Sequence, residues 1–248
     1  MTQEKSKNFD NRMDRLMLSI ARHWLRLALV IIGTYAILPW VAPTLMKVGL
    51  TGPGNALYML YSPMCHQFAF RSVFLYGEQA FYPRESVGTD LVSYESYAAN
   101  IEEINPGDGS LLDFTPEFFF PARRFRGNEE MGFKTAICAR DVSIYLALFI
   151  GGLIYSIPYI RRRLRPIPLW IYVIAGLGPI GLDGFSQLLS YAPFEFWDVR
   201  ETAPFFRVAT GAMFGFMNAW LVFPYLERSF WESKRDLITR FQEQGIDV

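Results

Sequence analysis

Cys65 and His66 stand side by side, and Cys138 is followed three residues later by Asp141. Thiolate, imidazole and carboxylate are donors that hold a divalent transition metal such as zinc, so Cys65, His66, Cys138 and Asp141 form a candidate metal set. Adjacent residues seldom bind one ion comfortably, and three of the four ligating is the expected outcome. A second group, Asp183, Gln187 and Arg207, carries the residue types of acid-base chemistry. Asp183 would act as acid-base or ligand group, and Arg207 would hold an anion or that carboxylate. Blander readings compete. Cys65 and Cys138 are the only cysteines, and a structural disulfide between them is expected in an oxidising compartment, with a redox-active thiol pair as a further alternative. Asp183 paired with Arg207 or Arg140 would fix helix registry without chemistry.

These residues have to be positioned by an unusual chain. It has 248 residues, 51% hydrophobic and 17% aromatic, with 24 Lys+Arg against 24 Asp+Glu. The zero balance gives no basic field for nucleic acid. Two cysteines and two histidines exclude a multi-zinc array, a multi-haem chain, a four-cysteine iron-sulfur cluster and a disulfide-dense scaffold. Leu27 to Met46 gives 20 residues without a charge, and Val142 to Ile160 and Val208 to Leu226 give 19 each. Each approaches the ~20 residues that cross about 30 Å of hydrocarbon. A fourth stretch, Ile167 to Leu189, is apolar to Leu182 and then carries Asp183, Ser186 and Gln187. The expectation is an all-α polytopic bundle with spans at about 27–46, 142–160, 167–189 and 208–226. Pro39, Pro158, Pro179 and Pro224 are expected to kink rather than end them. Gly211-x-x-x-Gly215 and Ala147-x-x-x-Gly151 read as helix-helix contacts.

Lys5, Lys7, Arg12, Arg15, Arg22 and Arg26 precede the first span, Arg161-Arg162-Arg163-Leu164-Arg165 follows the second, and Arg228, Lys234, Arg235 and Arg240 follow the fourth. Four spans put all three clusters on one side, the cytoplasm. The layout is then a cytoplasmic segment 1–26, a membrane domain 27–226 and a cytoplasmic tail 227–248, in the cell membrane. The polar first ~20 residues leave no cleavable signal, so the first span reads as an anchor. Residues 56–76 are expected to form an outer re-entrant or interfacial helix broken near Pro63, because a full crossing would reverse the arginine run. Residues 77–137 hold 11 acidic and 5 basic side chains, with turn residues at Asn105-Pro-Gly-Asp-Gly. They read as an acidic extracytoplasmic insert, a small cap or partner surface.

The polar residues then share one depth, at the outward ends of their segments. Helical phase puts Cys138, Asp141 and Tyr145 on one face, Asp183, Gln187 and Ser190 on another, and Arg207, Gly211 and Asn218 on a third. Ionisable groups at membrane depth normally face the bundle interior or a wet cavity, so an outward-opening polar pocket is expected.

"MCHQFAFRS", "FLYGEQ", "CARDVSIYLALFIGG", "PIGLDGFSQ" and "FFRVATGAMFGF" resemble a family of small bacterial and archaeal membrane proteins, domain of unknown function 2085. Its Cys-His-Gln with a following Arg-Ser, Cys-x-Arg-Cys, Asp-Gly-x-x-Gln and Arg-x-x-Thr-Gly patterns fall on Cys65, His66, Gln67, Arg71 and Ser72, on Cys138 and Arg140, on Asp183, Gly184 and Gln187, and on Arg207, Thr210 and Gly211, within about residues 60–226. Asp141 stands where the family pattern has its second cysteine. The resemblance implies a three-sulfur, one-nitrogen metal set that this chain turns into a mixed one, and it implies no activity.

Gly176-x-Gly178-x-x-Gly181 imitates a dinucleotide fingerprint, but it lies inside a span with Pro179 and no preceding strand. Walker, His-Glu-x-x-His and Gly-x-Ser-x-Gly patterns are absent. The reading is a membrane protein whose outer pocket binds a metal or carries thiol or acid-base chemistry, whether as enzyme or binder. The alternative is a non-catalytic accessory or scaffold subunit, its cysteines in a disulfide and its acidic insert docked on a partner. Its surroundings are the bilayer and a membrane-protein partner or second copy, with no nucleic acid; a transporter is disfavoured by four spans without repeats. Reporter fusions at residue 163 and at both ends should all report the cytoplasm, and an outward residue 163 would scatter the shared depth.

Overall fold

The computed structural model describes the backbone of residues 2–105, 107 and 110–247, with side chains described from residue 12 onward. Lys5 and Lys7 of the basic N-terminal cluster, and Pro106, Asp108 and Gly109 of the expected turn, lie outside the described side chains. Among the described residues, three helices are long and apolar enough to cross a membrane: within α1 (Thr2–Lys47) residues Arg12–Lys47, then α7 (Leu169–Leu188) and α8 (Pro204–Glu243). Their lipid-compatible faces are bare of protein, with Ile31 at 70%, Leu182 at 76% and Phe205 at 74% exposure.

The segment expected at 142–160 is shorter than read from its composition. Helix α5 (Ala139–Tyr155) has 17 residues and stops before Pro158, which opens the short α6 (Pro158–Arg163). Pro158 has no N–H to continue the ladder and is tolerated at a first helical position. Pro179, by contrast, is absorbed: Tyr172–Leu177 wind as a π-helix just before it, with the Gly178 N–H donating to the Val173 carbonyl, so α7 continues. Pro39, Pro43 and Pro224 lie inside their helices.

Small residues set the contacts between these helices. A Cβ on Gly215 would lie 2.3 Å from the Ile144 carbonyl oxygen and 2.9 Å from the Ala147 Cβ; one on Gly151 would lie 2.5 Å from the Ala219 Cβ. Gly211 meets the Arg140 carbonyl and Ser143 in the same way. Helices α5 and α8 therefore run parallel at close approach, as the two small-x-x-x-small patterns anticipate. Helix α1 runs the other way: Gly33 faces Phe149, Trp24 packs with Phe223, and Leu18 packs with Leu237 and Phe241. The start of α1 and the end of α8 thus lie toward the end of the bundle where Trp24 Nε1 (3.0 Å) and Arg161 Nη2 (2.6 Å) donate to Glu227 Oε2.

The opposite end holds the departures from an all-helical fold. Residues 56–76 are not one helix: α2 (Thr51–Tyr61) ends just before Pro63, and its 11 residues are too few to cross a bilayer. After the turn come a single 3-10 turn at Ala69–Arg71 and strand β1 (Ser72–Leu75). Strands β2 (Gly127–Asn128) and β3 (Gly132–Cys138) complete an antiparallel sheet in the order β1-β3-β2, with Ser72 opposite Cys138. Phe133, Thr135 and Ile137 alternate with Lys134 and Ala136, and all five are buried, so the strand has no polar face from which a period of two could be read. Gly132, at φ +76°, makes the β2–β3 turn, where a Cβ would fall 2.3 Å from the Leu75 carbonyl oxygen.

Between β1 and β3 the insert folds into a cap with its own aromatic core of Phe68, Phe70, Phe74, Tyr82, Tyr94 and Phe118. The short helices α3 (Tyr94–Ala98) and α4 (Pro116–Arg124) belong to it. A buried ion pair, Arg84 Nε to Glu95 Oε1 at 2.7 Å, sits with the guanidinium 4.2 Å from the Phe118 ring centroid. A second cluster of Ala42, Tyr58, Tyr61, Ala136, Ile137 and Val142 seats Cys65 against α1, α2 and α5.

Gly215→Ala should lower stability by about 1–3 kcal/mol, because backbone rather than a flexible side chain blocks the new methyl group. Gly181→Ala, facing open space, should stay within about 0.5 kcal/mol. Thermal unfolding of the two variants in detergent compares them directly.

Candidate functional site

Cys138 is the last residue of β3 and the N-cap of α5, so one backbone junction aims its sulfur. Its Sγ donates to Asp141 Oδ2 at 3.2 Å, one helical turn on. Cys65 reaches the same point from the loop after α2. Its Sγ accepts the N–H groups of Gln67 at 3.4 Å and Cys138 at 3.1 Å. One ligand atom each from Cys65, Cys138 and Asp141 lie within 4.8 Å of one another, and both cysteines are free thiols.

Gln67 holds this loop in shape. It sits at φ +56°, a left-handed conformation uncommon for a side-chain-bearing residue. Its buried amide donates to the carbonyls of Tyr58 (2.8 Å) and Ala136 (2.6 Å) and accepts from Arg126 (3.1 Å). Its own carbonyl accepts from the Lys134 ammonium, which also donates to Ala122 (3.2 Å) and Arg123 (2.9 Å). Lys134 is fully buried, and burial pushes its amine well below the usual lysine range. The positive φ is over-determined by these bonds, and it presents the Gln67 N–H to sulfur.

The remaining polar residues form a network beside the sulfurs. Glu201, buried in the connection between α7 and α8, accepts from Arg71 Nη2 at 2.5 Å, Arg207 Nη2 at 2.6 Å, Gln187 Nε2 at 2.5 Å and the Tyr191 hydroxyl. Asp183 accepts from Arg140, from Thr202 Oγ1 at 2.8 Å and from Arg200 Nη2 at 3.2 Å. The registry reading named Arg140 or Arg207 as the partner of Asp183. Arg140 fills that role, and Arg207 pairs with Glu201 instead. Arg207 and Asp183 meet only through Thr202, whose carbonyl accepts from Arg207 Nε at 3.1 Å. Residues Cys65, His66, Arg71, Cys138, Asp141 and Arg207 all line one cavity of about 330 Å³, with Gln187 and Tyr191 in its wall.

Of the residues singled out by type and spacing, Cys65, Cys138 and Asp141 come together as a ligand set. His66 lines the cavity but falls outside that set, its ring 5.4 Å from that of Phe68. Asp183, Gln187 and Arg207 are all buried in the polar network. Tyr145 packs against Tyr35, and Asn218 accepts from Tyr172, so these two members of the expected faces serve packing. Glu201, Tyr191 and Thr202 carry no motif in the sequence, whereas Arg71, which joins them, belongs to the Cys-His-Gln-Arg-Ser motif. Glu201 stands six positions before Arg207, outside any helix that would give it a phase, and only its place beside a span could have marked it.

The thiols differ. The neighbouring Cys138 sulfur and burial push the Cys65 thiol up, while the neighbouring Cys65 draws Cys138 down. His66 is lowered by burial and by Arg71 and Arg123, so its imidazole is neutral near pH 7. Glu201 is pushed up by burial, but Arg71 and Arg207 outweigh this and hold it below its ordinary value.

The fold and site define a multi-pass helical membrane protein with a polar cluster at one end. Residues 125–221 carry the match to a family model described as predicted membrane protein (DUF2085). That run contains Cys138, Asp141, Asp183, Gln187 and Arg207, and leaves Cys65 and His66 outside it. The chain is also 33% identical, over 94 residues, to the uncharacterized protein MJ1492 of Methanocaldococcus jannaschii, covering 38% of this chain and 54% of that one. The chain thus spans about half the length of this curated relative. No solved structure matches.

A carboxyl held below its ordinary value of about 4.5 contributes stability that is present above that pH and lost as pH falls through the lowered value. Glu201→Gln should therefore flatten the acid limb of the stability profile. Glu201→Ala should cost about 3–5 kcal/mol, since it strands two buried guanidinium groups. Thermal melts from pH 3 to 7 measure both.

Proposed function

We propose that this chain crosses the cell membrane four times, with both ends and the Arg161–Arg165 run in the cytoplasm, and that its outer-side cavity binds a divalent transition metal ion through Cys65, Cys138 and Asp141. The fourth crossing would be α5 continued through α6. Support for it comes from the packing: α5 lies along α8 for its whole length, and its outer face carries exposed Leu146, Ile150, Leu153 and Ile154. Seventeen residues rise about 26 Å, close to the thickness to be crossed, and α6 supplies the remainder.

The observation that carries the metal reading is the convergence of two sulfurs and one carboxylate within 4.8 Å, with two backbone N–H groups already aimed at Cys65 Sγ. N–H groups directed at a sulfur favour its thiolate, the form that ligates. Two thiolates and a carboxylate bring three negative charges, and a divalent ion leaves the set at minus one beside Arg71 and Arg140. Three protein ligands leave an open position of the kind that takes water or substrate in a catalytic zinc site. Asp183, Gln187 and Arg207 would then orient rather than ligate, since their polar atoms are committed to the network.

A second reading is favoured by one specific feature. Cys138 caps the N-terminus of α5, carries the lower thiol and touches a buried Cys65, the arrangement of an attacking and a resolving cysteine. In that case thiol-disulfide exchange replaces metal binding.

Titration of the reduced, purified protein with cobalt(II) distinguishes the two. Metal binding should give a thiolate charge-transfer band at one equivalent, abolished in Cys65→Ser and Cys138→Ser and shifted in Asp141→Asn. His66→Ala should keep the band. No band and two alkylatable thiols after reduction, with none before it, would replace the metal by the disulfide. Two free thiols throughout and no band would remove both.

A further inference from the structure

The charges around the cavity do not balance. Six guanidinium groups, those of Arg71, Arg123, Arg126, Arg140, Arg200 and Arg207, surround the Cys65–Gln67 loop and the Asp183–Glu201 network. Three carboxylates, Asp141, Asp183 and Glu201, accompany them. Guanidinium groups stay charged at any accessible pH, so the excess is permanent. Among the described residues, neither Arg123 nor Arg126 makes an ion pair. Arg123 bonds only to Ser62, and Arg126 to the Gln67 amide and the Arg123 carbonyl. Both belong to the 77–137 insert, which holds 11 acidic residues, yet both turn away from those acids toward the Cys-His-Gln loop. Exchange of two thiol protons for one divalent cation leaves the excess unchanged.

The excess sits beside this cavity, on Arg123 in the neighbouring one and on Arg126 next to it, and uncompensated positive charge that is partly out of water is costly unless an anion enters. Donor capacity is available: Arg140 gives one terminal nitrogen to Asp183, while its Nε has no partner among the described residues. Arg123 lines a neighbouring cavity of about 300 Å³ that shares Met64, Cys65 and His66 with the first. The mouth is apolar, with Met64 at 66% and Leu188 at 51% exposure.

We propose that these two adjoining cavities together bind a phosphate-type oxyanion, with Arg71 and Arg140 contributed by the first and Arg123 by the second, beside the Cys65–Cys138–Asp141 set, and with exposed Met64 and Leu188 covering an apolar tail. The proposal rests on the metal-site reading for its location but not for its binding energy. A bound phosphate would lie within reach of a metal at the thiolates, so the class of ligand is a phosphorylated lipid headgroup of the outer leaflet or a free phosphate, recognised by the same forked donors.

Calorimetry on the full chain in detergent tests this with three probes: short-chain phosphatidic acid, inorganic phosphate and short-chain phosphatidylcholine. Phosphatidic acid should bind most tightly, and Arg123→Gln and Arg140→Gln should each weaken it about tenfold, one charge-assisted contact's worth. Arg123→Gln touches no carboxylate and should keep the cobalt band, which separates lost anion binding from lost folding. Met64→Gln, polar but uncharged, should weaken the lipid and spare inorganic phosphate; an equal effect on both would assign the site to free phosphate. Binding of phosphatidylcholine as tight as phosphatidic acid, no binding of either phosphate probe, or affinities unchanged in both arginine variants would overturn the proposal. A missing cobalt band with arginine-dependent phosphate binding would remove the metal reading alone.

Discussion

Charge brought out of water at the end of a helical bundle has to be answered by another charge, and Glu201 shows how this chain does it. Its carboxylate collects Arg71 from the loop after α2, Arg207 from the start of α8, and Gln187 and Tyr191 from the end of α7. The four partners come from three separate stretches of chain, so the carboxylate ties the cap to two spans. Arg71 lies among the rings of Phe68, Phe70, Phe114 and Tyr191, where an unpaired guanidinium would be expensive. Asp183 repeats the arrangement on the other side, joining α5 to α7 through Arg140.

The sulfurs depend on this frame. Cys138 is placed by a strand that becomes a helix, and the strand exists because β1 and the insert close around Lys134. With three carbonyls accepting from it, the ammonium acts as a buried clasp between the Gln67 loop and the end of α4. The left-handed Gln67 then turns its N–H toward Cys65. The proposed metal, thiol and anion sites all lie at this one junction, and the glycine contacts between α5 and α8 bring it close to the start of α8.

Much of this was legible from residue type. The long uncharged runs mark α1, α7 and α8, because lipid admits no ionisable side chain cheaply over 20 residues. The small-x-x-x-small pairs mark the α5–α8 contact, because only a hydrogen or methyl group allows that approach. Cys65, Cys138 and Asp141 were recognisable by donor chemistry and by the shared depth of their segments. The sheet was not legible: β3 is buried on both faces and β2 has two residues, so neither carries a period of two. The end of α5 at Tyr155 has no signature in composition either, since a proline such as Pro158 breaks a helix or, like Pro179 in α7, is absorbed according to what packs around it.

The amino-acid sequence alone determined that the chain is a helical membrane protein with its polar residues gathered toward one end, because hydropathy and charge act over whole segments and need no knowledge of neighbours. Tertiary structure decided the partners: that His66 stands outside the sulfur set, that Arg207 answers Glu201 rather than Asp183, and that Arg123 and Arg126 are left without carboxylates. Those outcomes turn on separations of a few ångströms between residues up to 130 positions apart, and a hydrogen bond has no signature in the spacing of residues that belong to different elements.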